Sequence, residues 1–364
     1  MASSNLVRRA SPTFFIDNKD VTEELLKHIV DVEIIDNLEG TLDEIIIKLN
    51  NENNRFLTTN WAIPKGTQIK FGIKTLNWNS EFEGESQSDV GIFNIDIRQF
   101  NRKTATFKGI SGPLNSRDVK RSKIWANISL EALGKEFADK YKLKYFYKVK
   151  DNITLKNIKQ EEEEDFSFLN KIAQDEGVKL KISSGILILF EEEILSENTP
   201  LLSISLNNVE EFEIKDKSND IYDAIEVKYF NTKKQKEEKA IITKHELETG
   251  QKSDNYKKVY ALKSRAKSGD LKKLAKKTLE NVNKREIETT LKIIGCKELY
   301  SGCIIALSDA GEFSGNYVVT RLQHNFPKFT TSIEMYKIKK DIKSLSIYPV
   351  TVIITALVIV FILL

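Results

Sequence analysis

Between an acidic run and an apolar stretch, the chain reads Asp165-Phe166-Ser167-Phe168-Leu169-Asn170-Lys171-Ile172-Ala173-Gln174-Asp175-Glu176-Gly177. Apolar side chains recur in this segment at helical spacing, which predicts a helix with one buried face. They are Phe166, Leu169, Ile172 and Ala173. We expect Asp165 to cap the start of the helix and Gly177 to end it. Residues 179–190 then favour strands, so the whole stretch predicts an α/β segment.

The sequence before this segment predicts an antiparallel β domain over residues 14–101. Apolar and polar side chains alternate over residues 30–35, and residues 36–40 supply turn chemistry, which together predict a hairpin. Alternation returns over residues 92–97. We expect the acidic stretch 79–91 to be a loop, because it offers no apolar face to a core.

A change of pattern past residue 113 marks a second domain, and strands resume near residue 201. Ser129 stands where an N-cap belongs, ahead of apolar residues at helical spacing. Residues 271–285 then form a strongly basic helix with an apolar stripe, which predicts that one face docks on the protein. The stripe consists of Leu271, Leu274, Ala275, Thr278, Leu279 and Val282.

Length and composition favour a folded chain of two or three domains. The chain has 364 residues with 56 basic and 53 acidic side chains, a formal net charge of +3. That charge is too small to argue for nucleic acid or an anionic membrane as a partner. Cys296 and Cys303 are the only cysteines, and we expect them to be buried thiols in a strand pair in a reducing cytoplasm. The first ten residues lack the apolar run of a signal peptide.

The residues that commonly carry chemistry do not form a catalytic, cofactor or metal site in this sequence. His28, His245 and His324 are the only histidines, and none has a partner at metal-ligand spacing. We expect His324 to be structural and to pack with Phe326. Residues 109–113 resemble a nucleophile elbow, but the second glycine comes one position early, and coincidence is the better interpretation.

Two charged stretches admit a functional and a simpler interpretation. The acidic run 161–164 precedes a predicted helix, where the helix dipole stabilises negative charge without any catalytic role. The basic stretch 263–285, with Lys272, Lys273, Lys276 and Lys277, lacks the interleaved aromatic side chains that stack on bases. We therefore expect a solvated face, and nucleic acid only as passing cargo.

The C-terminal end predicts an apolar helix that inserts into a membrane. Residues 347–364 are apolar except for two threonines, and as a helix at ~1.5 Å per residue they would span about 27 Å. Lys337, Lys339, Lys340 and Lys343 precede them and would stay cytoplasmic.

Three segments resemble the late control protein D family of contractile-tailed phages. Residues 15–22 resemble its opening strand and turn, residues 165–177 its acidic-start helix, and residues 311–319 with 329–334 its closing hairpin. This family is the tail hub and is similar to the hub region of type VI secretion spikes. The resemblance extends over about residues 14–338, while the apolar tail departs from it.

The resemblance implies a homotrimer in which each chain contributes two tube-like antiparallel β-barrels to a ring of six. The expected fold is α+β and mainly β, with an α/β domain inserted between the barrels and a C-terminal apolar helix. We expect an N-terminal barrel at 1–112, the α/β domain at 113–200, a second barrel with the basic helix at 201–343, and the tail at 344–364.

The function implied by the resemblance is structural rather than enzymatic. The ring would join a hexameric tail tube to a trimeric spike, in a virion or phage-like particle assembled in the bacterial cytoplasm. Two alternatives stay open: a tail-associated peptidoglycan hydrolase or wall-binding module, and a membrane-anchored scaffold of a cell-resident injection apparatus. No catalytic residue, cofactor or metal is expected.

Overall fold

The computed structural model describes residues 7–58, 61–117, 119–196, 198–231, 235–252, 254–263 and 271–338. The chain is mainly β, with large antiparallel sheets. The strands are β1 Arg9–Ile16, β2 Lys19–Asp20, β3 Ile29–Asn37, β4 Glu44–Asn50, β5 Gln68–Leu76, β6 Glu85–Phe100, β7 Thr104–Ile110, β8 Arg121–Ser129, β9 Lys144–Lys148, β10 Thr154–Glu163, β11 Lys179–Ser183, β12 Ile186–Phe190, β13 Leu202–Ser205, β14 Glu211–Asp216, β15 Ala224–Asn231, β16 Lys236–Thr243, β17 Val259–Lys263, β18 Ile287–Ile294, β19 Ile304–Ser308, β20 Gly315–Phe326 and β21 Thr330–Lys337. The helices are α1 Thr22–Leu26, α2 Leu130–Lys140, α3 Asp165–Asp175, α4 Glu193–Ser196, α5 Lys244–Thr249 and α6 Leu271–Asn283.

Strands β1 to β7 form what we call the first β unit. The predicted hairpin is confirmed, since β3 and β4 pair across the turn at residues 38–43. The predicted loop at 79–91 is wrong in its second half, because β6 begins at Glu85 and pairs with β5. Its acidic side chains are accommodated by lysines of β5: Lys70 pairs with Asp89 at 2.6 Å and Lys74 with Glu85 at 3.0 Å.

Strands β13, β14 and β18 to β21 form the second β unit, which repeats the strand order of the first. The first β unit runs β3-β4-β7-β6-β5-β1, and the second runs β14-β18-β21-β20-β19-β13. The two orders match position by position, both within the sheet and along the chain. Strand β3 of the first unit thus corresponds to β14 of the second, and β6 corresponds to β20. One pairing differs, because β1 is antiparallel to β5 whereas β13 is parallel to β19. The same way of folding a sheet therefore occurs twice in one chain.

A ladder between β20 and β3, which we call the joint, unites the two β units into one 13-stranded sheet. It runs from the pair Arg321–Asn37 to the pair Phe326–Val32. The first part of β20 pairs with β19, and a bulge between Val319 and Arg321 precedes the part that pairs with β3. The expectation of two closed barrels is therefore wrong for the described residues: the sheet is open and shared.

Strands β8 to β12 with α2 and α3 form the middle unit. Ser129 caps α2 as predicted, with its Oγ accepting a hydrogen bond from the Ala132 N–H at 3.1 Å. Gly177 ends α3 as predicted, in the left-handed region at φ 69°. Asp165 is not the cap of α3, because Glu164 occupies that position and Asp165 is the first helical residue.

Strands β15 to β17 with α5 and α6 form the inserted unit, within the connection between β14 and β18. Strand β15 lies between β16 and β17, and α6 packs on this sheet through the predicted apolar stripe. The fully buried side chains of this core are Ile225, Val227, Ala275 and Leu279. Docking of the basic helix is thus confirmed, while the strands before it, which were expected to belong to the second barrel, form a separate sheet.

The predicted membrane tail, residues 344–364, lies outside the described residues. Within the described ranges, no helix is both long enough and apolar enough to cross a bilayer.

Candidate functional site at the joint of the two β units

A buried cation from the middle unit lies beside the joint. Lys181 of β11 donates from Nζ to Asp36 Oδ1 at 2.6 Å, to Asp43 Oδ1 at 3.1 Å and to Ser301 Oγ at 3.0 Å. The Asn37 carbonyl is a fourth acceptor, 2.5 Å from Nζ, so the three N–H groups are shared among four oxygens. We call these five residues the Lys181 cluster. It ties the middle unit, the β3–β4 turn and the connection between β18 and β19 together.

The charges of the Lys181 cluster do not balance, because two carboxylates share one ammonium group. Burial lowers the pKa of Lys181, but the charges of Asp36 and Asp43 outweigh burial and raise it. Burial raises the pKa of Asp36, yet Lys181 and Ser301 lower it below its ordinary value. Asp43 differs: burial raises its pKa to about 6, and Lys181 offsets only part of that rise. Asp36 is therefore the principal partner of Lys181.

A second ionic group, the Glu39 cluster, consists of Glu39, Lys179, Lys284, Glu192 and Tyr336. Glu39 in the β3–β4 turn pairs with Lys179 and, at 3.5 Å, with Lys284. Lys284 also pairs with Glu192, whose other oxygen accepts a bond from the Tyr336 hydroxyl at 2.5 Å. Burial raises the pKa of Glu39, but the surrounding cations outweigh it and lower the pKa. This cluster connects all four units.

Aromatic contacts close another side of the junction. Trp78, in the connection between β5 and β6, donates from Nε1 to the Gly295 carbonyl at 2.6 Å. Its ring lies 5.2 Å from that of Phe329, and the Arg8 guanidinium lies 4.0 Å above it. A Cβ at Gly295 would come within 2.3 Å of the Phe329 ring, so only glycine fits there. The first β unit thus contacts the second through this loop as well as through the joint.

The three histidines have different surroundings and different contact residues. His28 lies 2.6 Å from Arg55 and 5.4 Å, ring to ring, from Trp61. His324 bonds Thr331 at 2.9 Å and contacts the ring of Phe329, which in turn stacks on Phe326. His245 is exposed. In the part of the chain that the structure describes, no group of three or more His, Cys, Asp or Glu side chains is placed to hold a metal ion.

The elbow-like and acidic sequence features have structural partners. Ser111 is buried, donates from Oγ to the Ile182 carbonyl at 2.7 Å, and accepts from the Asp43 N–H at 3.0 Å. Asp165 accepts bonds from Gln160 and Tyr141, both at 2.8 Å, and from Lys140. Ser111 therefore ties the backbone of the β3–β4 turn to that of the middle unit, and Asp165 binds three side chains within the middle unit.

Lysines of the basic helix bind acids of the chain itself. Lys277 donates to Glu191 at 2.7 Å, and Lys284, just beyond α6, belongs to the Glu39 cluster. The cysteines lie in the connection between β18 and β19 rather than within paired strands, which corrects the prediction. Burial raises the pKa of Cys296 and of Cys303 to about 12, so both thiols are poor nucleophiles.

Comparison of the whole structure with solved structures gives extensive matches. No family model matches the sequence, and no curated protein sequence matches it significantly. A tail protein from Neisseria meningitidis MC58 matches with a TM-score of 0.66 and 11% identity, over 90% of this chain and 97% of that one. The 43 kDa tail protein of prophage MuSo2 from Shewanella oneidensis matches with a TM-score of 0.65 and 13% identity, over 90% and 98%. The chain has the fold of phage tail proteins.

The tail-protein fold extends over nearly the whole chain, and it also occurs outside phages. A chain of the Francisella PdpA–VgrG complex matches with a TM-score of 0.50 and 13% identity, over 94% of this chain and 59% of that one. The resemblance to phage tail and type VI secretion proteins inferred from the sequence is thereby confirmed at the level of the fold.

The ionic clusters of this tail-protein fold were not predicted from the sequence. Asp36 and Asp43 flank a short turn. Two carboxylates placed in this way favour a cation nearby, so this part of the site could have been suspected from the sequence. Lys181, the cation that binds them, comes more than a hundred residues later in the chain, in a strand where the adjacent residues are apolar. Only the packing of the middle unit against the joint brings these residues together.

Proposed function

We propose that this chain is a structural hub of a phage-like contractile tail, and that three copies form a ring between tail tube and spike. The observation that carries the proposal is the repeated β unit: one chain holds two units of one strand order, joined edge to edge by β20 and β3. If further copies add in the same side-by-side arrangement, they form a closed ring when the rotations between neighbouring units add up to a full turn.

The domain arrangement proposed for this hub follows the sequence prediction. Residues 1–112 and 201–343 carry the ring-forming units, and residues 113–200 carry the α/β middle domain. The ionic clusters support this role, because a part that transmits force between tube and spike needs its domains held rigidly. The Lys181 and Glu39 clusters tie the middle unit to the first β unit through ion pairs, and to the second through hydrogen bonds of Ser301 and Tyr336.

The hub acts on its partners by shape rather than by a chemical step. Its partners are then a tail tube protein and a spike protein, and nucleic acid is only cargo in the channel. The particle assembles in the bacterial cytoplasm. The tail-protein fold of the matched structures supports this structural role.

The mass of the full-length chain in mild detergent tests the proposal. Sedimentation equilibrium is expected to give a trimer, and electron micrographs of assembled particles should place the chain on the central axis. A stable monomer at micromolar concentration, or a position off the axis, would overturn the proposal. Absence of peptidoglycan cleavage on a zymogram is expected of a hub, while clearing by the wild-type protein would favour the hydrolase alternative.

We also propose that residues 344–364 anchor the chain to a membrane. Fused to a soluble reporter, these residues are expected to carry the reporter into the membrane pellet. A fusion that stays in the supernatant would rule out the anchor without affecting the hub.

A further inference from the structure

We propose that the ring closes by one specific contact: β14 of one copy pairs antiparallel with residues 96–100 of β6 in the next copy. The inference rests on the hub proposed above and assigns its interface. It follows from the repeat, because β14 corresponds to β3 and β6 corresponds to β20. The pairing of β20 with β3 at the joint therefore predicts an equivalent pairing of β6 with β14. This second pairing does not occur within a single chain.

Strand β14 has an open edge. It pairs with β18 on one side, from Glu211–Lys292 to Asp216–Ile287. It is the last strand of the sheet in the described part of the chain, so its other row of N–H and C=O groups meets no strand. The equivalent edge of β3 is the one occupied by β20. An unpaired edge of this kind readily accepts another strand.

The end of β6 has the matching open edge. On the side away from β7, β6 pairs with β5 as far as Asn94, and Ile95 bonds the backbone of Thr67 at 2.9 Å. The described ladders give residues 96–100 a strand on the β7 side alone. In β20 the corresponding part, past its bulge, is the part that pairs with β3. β6 also has its bulge at this point, between Ile95 and Ile97 on the β7 side.

The open edge of β14 exposes an apolar side chain at a position that the joint buries. Phe212 of β14 is 56% exposed and corresponds, through the pairings of β4 and β18, to Val32 of β3. At the joint, Val32 of β3 and Leu322 of β20 are fully buried. Removal of the Phe212 side chain from water therefore favours the proposed contact.

The other end of the sheet is less suited to accept β14. Strand β1 carries Pro12, which has no N–H to donate, and its last residues already pair with β2. A proline on an edge strand is a common way of preventing strand addition. The repeat and this blocked edge thus both favour β6 as the partner of β14.

A charge placed on the proposed interface tests the contact. Phe212→Lys in the full-length chain is expected to weaken trimer formation about ten-fold or more, measured by sedimentation. The matched control is Ile124→Lys, which changes a 66% exposed strand residue of the middle unit and should leave the trimer intact. An unchanged far-UV circular dichroism spectrum and a cooperative thermal transition would establish that both variants are folded.

A cross-link provides a test that does not depend on the stability of a variant. Gln99 follows the bulge of β6 as Gln323 follows the bulge of β20, and Gln323 pairs with Ile35, whose counterpart in β14 is Lys215. The register of the joint therefore places Gln99 opposite Lys215. Chains carrying Gln99→Cys are mixed with chains carrying Lys215→Cys and treated with a short bis-maleimide. Dimers should form in the mixture and not with either variant alone, and the native cysteines should contribute little because burial raises their thiol pKa.

The outcomes separate this contact from the hub. A wild-type trimer that tolerates Phe212→Lys and yields no mixed cross-link would overturn the contact and leave the hub standing. A wild-type monomer would overturn both. Dissociation by Ile124→Lys instead would move the interface to the middle unit.

Discussion

Two aspartates bind one lysine at the joint, and they are expected to behave oppositely when neutralised. Asp36 bonds Lys181 at 2.6 Å and also receives the Ser301 N–H at 2.7 Å. Asp36→Asn leaves a buried ammonium without its principal counter-charge. We expect the free energy of unfolding to fall by about 3 kcal/mol, as for one partner removed from a buried pair. Urea denaturation at pH 7 measures this loss.

Asp43→Asn is the matched comparison and should be tolerated at neutral pH. The amide keeps an oxygen for the Asn37 N–H, which bonds Asp43 at 2.9 Å, and removes the surplus negative charge. The urea midpoint is then expected to equal or exceed that of the wild type. A loss as large as that of Asp36→Asn would mean that both carboxylates are required.

The pH dependence of stability follows from the raised pKa of Asp43. Burial raises that pKa from 3.8 to about 6, so the folded chain binds the proton more tightly than the unfolded chain does. The stabilisation from protonation is present below the unfolded pKa and is lost as pH rises through about 6. Between pH 4 and pH 7, Asp43→Asn should therefore gain on the wild type, by about 2 kcal/mol. Urea midpoints at pH 4, 5.5 and 7 measure it, and a constant difference would contradict the assignment.

At the scale of single residues, the sequence predicted local roles better than distant partners. Ser129 as a cap and Gly177 as a helix end depend only on neighbours in the chain, and both are confirmed. Asp165 was predicted to cap its own helix but instead bonds Lys140, the last residue of α2, and Tyr141, which follows it. A carboxylate near a helix start can cap that helix or bind side chains of another element. The tertiary fold decides which of the two roles it takes.

At the scale of elements, the end of α3 provides a test of backbone conformation. Gly177→Ala places a Cβ at φ 69° and within 2.7 Å of the Lys277 side chain. We expect a loss of about 1 kcal/mol or more, because a left-handed residue with a side chain is strained. Gly185→Ala, at φ 76° with nothing within 4 Å, is the control for conformation without the contact. Equal losses in thermal melts would show that Lys277 moves aside freely.

The elements that sequence reasoning missed are those whose pattern depends on neighbours. Strand β6 begins inside an acidic stretch, and Lys70 and Lys74 of the adjacent strand make that composition acceptable. In β15, beneath α6, Ile225 and Val227 are buried and alternate with the paired Glu226 and Lys228, but this alternation does not tell which sheet the strand joins. By contrast, the stripe of α6 has a strong period of its own and was predicted.

At the scale of the molecule, amide exchange should distinguish the joint from the open edges. Amides of β3 bonded to β20 are expected to exchange only on global unfolding, in monomer and assembly alike. Amides at the open edge of β14 should exchange quickly in a dissociated chain and slowly in the ring. Hydrogen exchange followed by mass spectrometry at two protein concentrations measures this. Equal protection of β14 at both concentrations would contradict the proposed contact.

The overall class could be predicted from sequence, and the arrangement of the units could not. Alternating strands and the resemblance of residues 165–177 led to a mainly β tail-protein fold, which the structural matches confirm. Two closed barrels were expected, but β20 bridges the units. Nothing local in residues 321–326 reveals that their second neighbour is a strand near the opposite end of the chain.

The connection between β14 and β18 differs greatly from its counterpart between β3 and β4. It occupies residues 217–286 and carries a folded unit, whereas the counterpart is a turn at residues 38–43. Closing the longer loop costs only roughly 2 kcal/mol more in chain entropy. The entropy of the chain therefore sets little limit on replacing this insertion by an unrelated domain, provided that Lys284 of the Glu39 cluster is kept. In the proposed trimer, three such domains would lie around the ring.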